Sequence, residues 1–193
     1  MIIAERQYSR IYRIFHWAIA FTIVVLLFTV FLRLTWMNKE HIAGIIETYL
    51  TDAGLALSQD QLIVLAKQIR QPMWNWHIYS GYVLTGLISI RFMLPLFGEM
   101  KIPNPFARNL SRKDIFQKST YLIFYVGVVV SLITGLIIEL GPKEFKKTVE
   151  AVHVLALYYL VPFLVIHLSG VLIAEFSDQK GIISRIISGS KHS

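Results

Sequence analysis

AVHVLALYYLVPFLVIHLSGVLIA, Ala151 to Ala174, is a run of 24 residues with no Asp, Glu, Lys or Arg. An α-helix rises about 1.5 Å per residue, so roughly 20 residues cross a hydrocarbon core of about 30 Å, and this run is long enough to do so. It also carries two histidines, His153 and His167, 14 residues apart. At about 100° and 1.5 Å per residue, that spacing puts both imidazoles within about 40° of one helix face and roughly 21 Å apart along the axis. One helix therefore presents an imidazole at each level of the membrane.

Three further stretches lack those charged residues: Ile14 to Leu32 (19 residues), Gln71 to Ile90 (20) and Ser119 to Ile138 (20). The second continues past Arg91 to Phe97, which leaves one arginine inside a span. The apolar runs show no strict alternation, and a membrane barrel needs at least eight shorter strands, so strands are not expected. The first run is too long for the apolar part of a secretory signal, and no small-x-small cleavage site follows it. The expected architecture is an all-α membrane protein, a bundle of four transmembrane helices at about 11–37, 73–97, 117–140 and 149–176, forming one domain over residues 1–193.

Composition agrees, with 55% of residues hydrophobic and 16% charged. Cysteine is absent. That excludes disulfides, iron–sulfur clusters, thiolate zinc sites, lipoprotein acylation and covalent c-type haem attachment. The net charge of +7 does not point to nucleic acid once its placement is considered. The N-terminus (Arg6, Arg10, Arg13), the second loop (Lys101, Arg108, Arg112, Lys113, Lys118) and the C-terminal tail (Lys180, Arg185, Lys191) carry eleven basic residues. The first and third loops carry seven, offset by seven acids on the same loops. The positive-inside rule then places both termini in the cytoplasm, where anionic membrane lipid accounts for the excess charge.

Four of the six histidines, His16, His77, His153 and His167, lie inside the apolar spans. An ionisable group in hydrocarbon costs about 2.5 kcal/mol or more when charged, so each is a candidate functional residue. The alternative for any single one is a neutral imidazole hydrogen-bonded to a neighbouring helix; four at matching depths are harder to explain that way. Helix one starts inside, so His16 lies level with His167. Helix two starts outside, so His77 lies level with His153. Two bis-imidazole b haems, with His16 and His167 as axial ligands of one and His77 and His153 of the other, form the simplest site that uses all four. Helix three, without histidine, need only complete the wall. Zinc fits less well, because each level offers two His and no carboxylate or Cys.

Haem propionates are anionic and suit arginine. Arg91, 14 residues after His77, falls on nearly the same face at the level of the inner pair. Arg13, three residues before His16, is a second candidate, with interfacial anchoring as the competing role. Gly81 and Gly170 could let a flat macrocycle approach the backbone or could mark close helix packing. Pro162 frees the carbonyl of Tyr158 and predicts a kink between the two histidines of helix four. Ser58 to Gln61 has the form of a capping box, followed by Leu62, Leu65, Ala66 and Ile69 on one face, so a short amphipathic helix is expected on the periplasmic surface. Ile182, Ile183, Ile186 and Ile187 around Arg185 predict an amphipathic tail on the inner surface. His41, in a loop, and His192 are expected to be solvated and inert. Trp17, Trp36, Trp74 and Trp76 sit at span ends, where an interfacial belt accounts for them.

The run Tyr8-Ser9-Arg10-Ile11-Tyr12-Arg13-Ile14-Phe15-His16-Trp17 resembles the first-helix signature of the bacterial cytochrome b561 and nickel–iron hydrogenase b-type cytochrome superfamily. His77 with Gly81 and Arg91 resembles its second helix. Val152-His153 through Ile166-His167 to Ala174-Glu175 resembles its last helix, and Gly181 to Gly189 is similar to the tail of the hydrogenase-type branch. The resemblance implies a dihaem subunit of the bacterial inner membrane that exchanges electrons between the membrane quinone pool and a periplasmic redox protein, such as a hydrogenase subunit or a c-type cytochrome. Two other readings are a self-contained quinone-linked enzyme resembling the superoxide-oxidising members and, from a different class, a haem-free membrane anchor.

Overall fold

The computed structural model describes residues 8–177, 180–189, and none of its described residues forms a β-strand. Its helices are α1 (Arg10–Leu34), α2 (Lys39–Asp52), α3 (Gln59–Met93), α4 (Arg112–Leu140), α5 (Lys143–His153), α6 (Ala156–Phe176) and α7 (Ile182–Ile187), with a 3₁₀ turn at Leu94–Phe97. Among the described residues four stretches are long and apolar enough to cross a membrane: Arg10–Leu34, Gln59–Phe97, Arg112–Leu140 and Lys143–Phe176. The chain is an all-α, multi-pass membrane protein, consistent with a helical bundle.

Large apolar side chains recur at intervals of three and four residues on the exposed faces of these spans: Phe21, Val24, Phe28 and Phe31 on α1, Ile123, Val126, Val130 and Ile133 on α4, and Tyr158, Val161, Val165, Leu168 and Leu172 on α6. These are lipid-facing stripes. The residues α1 buries include Thr22 and Thr29, whose hydroxyls donate to the carbonyls of Ala18 (2.7 Å) and Leu26 (2.6 Å). Back-bonding of this kind satisfies a hydroxyl without water.

Ala18–Gly86 forms one compact unit, and the chain on either side of it forms a second. In the first unit the connection after α1 is a helical hairpin. Asn38 caps α2 by accepting the amide of Glu40 at 2.9 Å, and Ala43 packs with Leu62 and Ala66 of α3, flanked by Ile42, Ile46, Leu50 and Ile63. The Ser58–Gln61 capping box forms: Ser58 N–H donates to Gln61 Oε1 (2.9 Å) and Gln61 N–H to Ser58 Oγ (3.3 Å). The helix it starts is not the separate surface piece expected, because α3 runs without interruption through Pro72 to Met93. No turn residue separates the amphipathic segment from the apolar one, and tertiary packing of Leu62 and Ala66 holds the first turns in register with the span. His41, expected in a loop, lies on α2 and is exposed, while His192 lies outside the described residues.

In the second unit α4 packs on α5 and α6. It begins at Arg112, earlier than the apolar run suggests, because Ser111 and Asp114 form a capping box. The fourth span is not one regular helix from 149 to 176. It starts at Lys143 and is interrupted at Val154 and Leu155, where Leu155 N–H donates to Val152 O (3.1 Å) and Tyr158 N–H to Leu155 O (3.0 Å). Those are i to i−3 bonds, which tighten the turn and upset the even 100° phase. The irregularity lies upstream of Pro162, which α6 accommodates.

The tail docks on the start of α1. Arg13 Nη1 donates to Ile187 O (3.2 Å) and Trp17 Nε1 to Ile186 O (3.1 Å). Glu175 accepts the amides of Gly181 (2.8 Å) and Ile183 (3.0 Å), fixing the other end of the segment. Gly189 has φ +72°, and a Cβ there would lie 2.7 Å from the Arg13 guanidinium, so both backbone and space call for glycine. Each side-chain bond contributes about 1 kcal/mol, so Trp17→Phe should raise the open population of the tail about fivefold. Tryptic cleavage after Lys180 and Arg185 in detergent-purified protein should accelerate by that factor; an unchanged rate would show that the tail is held by other contacts.

Candidate functional site

His16 on α1 and His167 on α6 face one another, with ring centroids 6.2 Å apart and planes inclined by 51°. Tyr12 stacks on His16 at 6.4 Å, and Phe163, one turn before His167, stacks on His167 at 5.6 Å and on Phe124 of α4 at 3.9 Å. Tyr121 Oη of α4 lies 3.1 Å from His167 Nδ1. A hydrogen bond at Nδ1 restrains the ring, and where Nδ1 is the donor it leaves Nε2 as the nitrogen able to bind a metal.

The same device recurs at two of the other intramembrane histidines. His153 Nδ1 lies 3.0 Å from Ser131 O and 3.0 Å from Thr134 Oγ1, both on α4. Its Cε1 is 3.2 Å from where a Cβ on Gly135 would be, so the ring sits against bare backbone. His77 Nδ1 lies 2.9 Å from Thr29 Oγ1 of α1. Sequence reasoning missed Thr29, Tyr121, Ser131, Thr134 and Gly135, and cast α4 as a passive wall. The overlooked signal was a set of small and hydroxylic residues inside apolar spans, which recur where polar groups must be satisfied away from water.

Arg91, near the end of α3, is 3% exposed. Its guanidinium carbon lies 5.3 Å from the Tyr125 ring centre, and its Nε and Nη1 have no hydrogen-bond partner among the described residues. It therefore does not reach to the lipid interface. Arg13 is half-buried; its Nη1 is engaged by the tail, and its Nε is buried without a partner. Among the described residues nothing lies within 4 Å of where a Cβ on Gly81 or Gly170 would stand, so close helix packing is not what either glycine serves.

These features define a class: a helical, multi-pass membrane protein whose spans carry oriented imidazoles and a buried cation. The family model for prokaryotic cytochrome b561 matches residues 7–189, and the chain belongs to that family. It is thus a transmembrane b-type cytochrome of electron transfer, and the family implies b-type haem. The match covers the family as a whole and does not distinguish the hydrogenase-type branch. Neither curated proteins nor solved structures give a match.

The residues fit the implied group. Two imidazoles that share an iron, each bound through a nitrogen at about 2 Å, have ring centres roughly 6 Å apart, close to the His16–His167 separation. Among the described residues no three His, Asp or Glu side chains converge, as a protein-only metal site requires. A porphyrin brings its own equatorial nitrogens, so two imidazoles suffice. The unpartnered donors of Arg91 and Arg13 suit anionic propionates.

Glycine also sets how closely α6 approaches α4. A Cβ on Gly127 would lie 2.7 Å from the Tyr159 ring, whose hydroxyl is pinned 2.9 Å from Ser131 Oγ. Gly127→Ala should therefore destabilise the solubilised protein by about 1–3 kcal/mol through overpacking. Gly86→Ala, with nothing within 4 Å, should be neutral or stabilise by up to about 1 kcal/mol. Thermal unfolding of the two variants measures the contrast, and equal effects would refute the packing role of Gly127.

Proposed function

We propose that the chain, acting as one membrane-embedded domain, is a dihaem electron carrier of the bacterial inner membrane with both termini in the cytoplasm. His16 and His167 hold the inner haem b, and His77 and His153 hold the outer one. The observation that carries the reading is the 6.2 Å separation of the His16 and His167 rings inside apolar spans. The outer pairing rests on the levels that the sequence assigns to His77 and His153, and on their hydrogen-bonded Nδ1 atoms. When bound, each b haem supplies reversible one-electron chemistry at iron.

The protein's own residues do the rest. Thr29, Tyr121, Thr134 and the carbonyl of Ser131 orient the imidazoles through Nδ1, and the apolar stripes seal the spans against lipid. Arg91 and Arg13 receive propionates of the inner haem, with Arg91 as the buried charge that favours its reduced form. The electron route runs between a periplasmic redox protein, a hydrogenase subunit or c-type cytochrome, and the quinone pool of a respiratory chain. The overall match to prokaryotic cytochrome b561 supports electron carriage; the tail resemblance favours a subunit over a self-contained superoxide-oxidising enzyme.

Pyridine haemochrome assay of the purified protein should give about two haems per chain, since four imidazoles make two axial pairs. His153→Ala and His167→Ala should each remove a different component of the potentiometric titration. A single haem, or loss of the same component in both variants, would refute the pairing, and absence of haem would leave the membrane-anchor reading.

Arg91→Leu should lower the midpoint potential of the component lost in His167→Ala. Removing a positive charge favours the oxidised form, which carries one more positive charge. A rise, or a shift confined to the other component, would remove Arg91 from the inner site.

A further inference from the structure

Four tryptophans at the span ends suggest an interfacial belt, but Trp74 differs from its neighbours. Trp36 and Trp76 are 70% and 65% exposed, as belt residues should be. Trp74 is half-buried, with its ring 4.5 Å from that of His77 and inclined by only 5°. The guanidinium carbon of Arg33, from the last turn of α1, lies 4.3 Å from the centre of the Trp74 ring. Thr29, one turn before Arg33 on the same helix, meets His77 Nδ1 at 2.9 Å. Two residues of α1 thus act on one imidazole of α3: Thr29 directly at the nitrogen, and Arg33 through the indole.

We propose that Arg33 and Trp74 are positioning residues that set the plane of the His77 imidazole. The inference rests on the reading of His77 as an axial haem ligand. A ligand bound through Nε2 can still turn about its bond to iron, and a single hydrogen bond at Nδ1 leaves some of that rotation available. Parallel stacking against an indole restricts it, because turning the imidazole loses the stacked contact. The cation over the indole holds the indole in turn. Stacking and cation–π attraction together are sufficient to favour one ring orientation roughly tenfold. The relative planes of two axial imidazoles govern the anisotropy of a low-spin ferric signal and tune the potential, so the clamp acts on a measurable property of one haem.

The test uses the holoprotein, with low-temperature electron paramagnetic resonance and a potentiometric titration of each variant. His77→Ala first identifies the component that depends on His77. Trp74→Leu should shift the low-spin signal and midpoint of that component while leaving the other as in the parent protein and retaining both haems. Trp74→Phe, which keeps a stacking ring, should restore the parent signal, and Arg33→Gln should shift the same component by less. Trp76→Leu should change neither. If His77→Ala leaves both components intact, the ligand reading of His77 fails. If it removes one that Trp74→Leu does not move, or if Trp74→Leu moves both equally, the clamp is overturned and the ligand reading stands. Should Trp74→Leu not yield folded protein, Arg33→Gln with the Trp74→Phe comparison decides: no shift in Arg33→Gln overturns the clamp.

Discussion

An imidazole within a membrane span has two nitrogens and no water for either. In hydrocarbon each unsatisfied polar group costs several kcal/mol, so a histidine there is tolerable only when the protein determines what both nitrogens meet. Three of the four intramembrane histidines meet this constraint at Nδ1 in the same way. Thr29 serves His77, Tyr121 serves His167, and Thr134 with the carbonyl of Ser131 serves His153. Much of the remaining sequence of the spans follows from these bonds. A hydroxyl must stand opposite each ring, and the helices must come close enough for it to reach.

Close approach explains the small residues of α4. Gly135 lets His153 lie against the backbone, and Gly127 admits the Tyr159 ring, whose hydroxyl then meets Ser131. The helix without a histidine is therefore the one that orients the two histidines of the span packed on it. Ile123, Val126, Val130 and Ile133 lie on the exposed face of α4, while Phe124 and Val128 are the large side chains it buries. The exposed face is apolar, unlike that of a water-soluble helix, and small and hydroxylic groups share the inner face with Phe124 and Val128.

The arginines near His16 and His167 divide their work by burial. Arg91 is buried with two donor atoms unpaired among the described residues, a costly arrangement unless an anion joins it. Arg13, a few residues before His16, spends one donor on the tail carbonyl of Ile187. The tail thereby becomes part of the wall beside His16, rather than only an amphipathic segment on the lipid surface. Sequence pattern alone describes both roles equally well, since an Ile-rich face suits lipid or protein.

What the sequence by itself determined is what depends on composition and spacing along one helix: the four apolar stretches, the all-α class, the four histidines within them and the unusual depth of Arg91. Those are legible because hydrocarbon imposes a length and forbids charge, and both conditions are written residue by residue. The family resemblance was legible for the same reason, in short motifs around those histidines. Tertiary structure decided what depends on two segments meeting. It fused the amphipathic turn after Ser58 into the second span, through the packing of Leu62 and Ala66 against Ala43. It broke the fourth span at Val154 and Leu155. It brought Tyr121, Thr134, Thr29 and the tail to the histidines they orient or adjoin, and Arg33 to the indole of Trp74. A hydroxyl in an apolar run carries no mark of its partner, because a hydrogen bond between helices is decided by which faces meet, and that is a property of the packed chain.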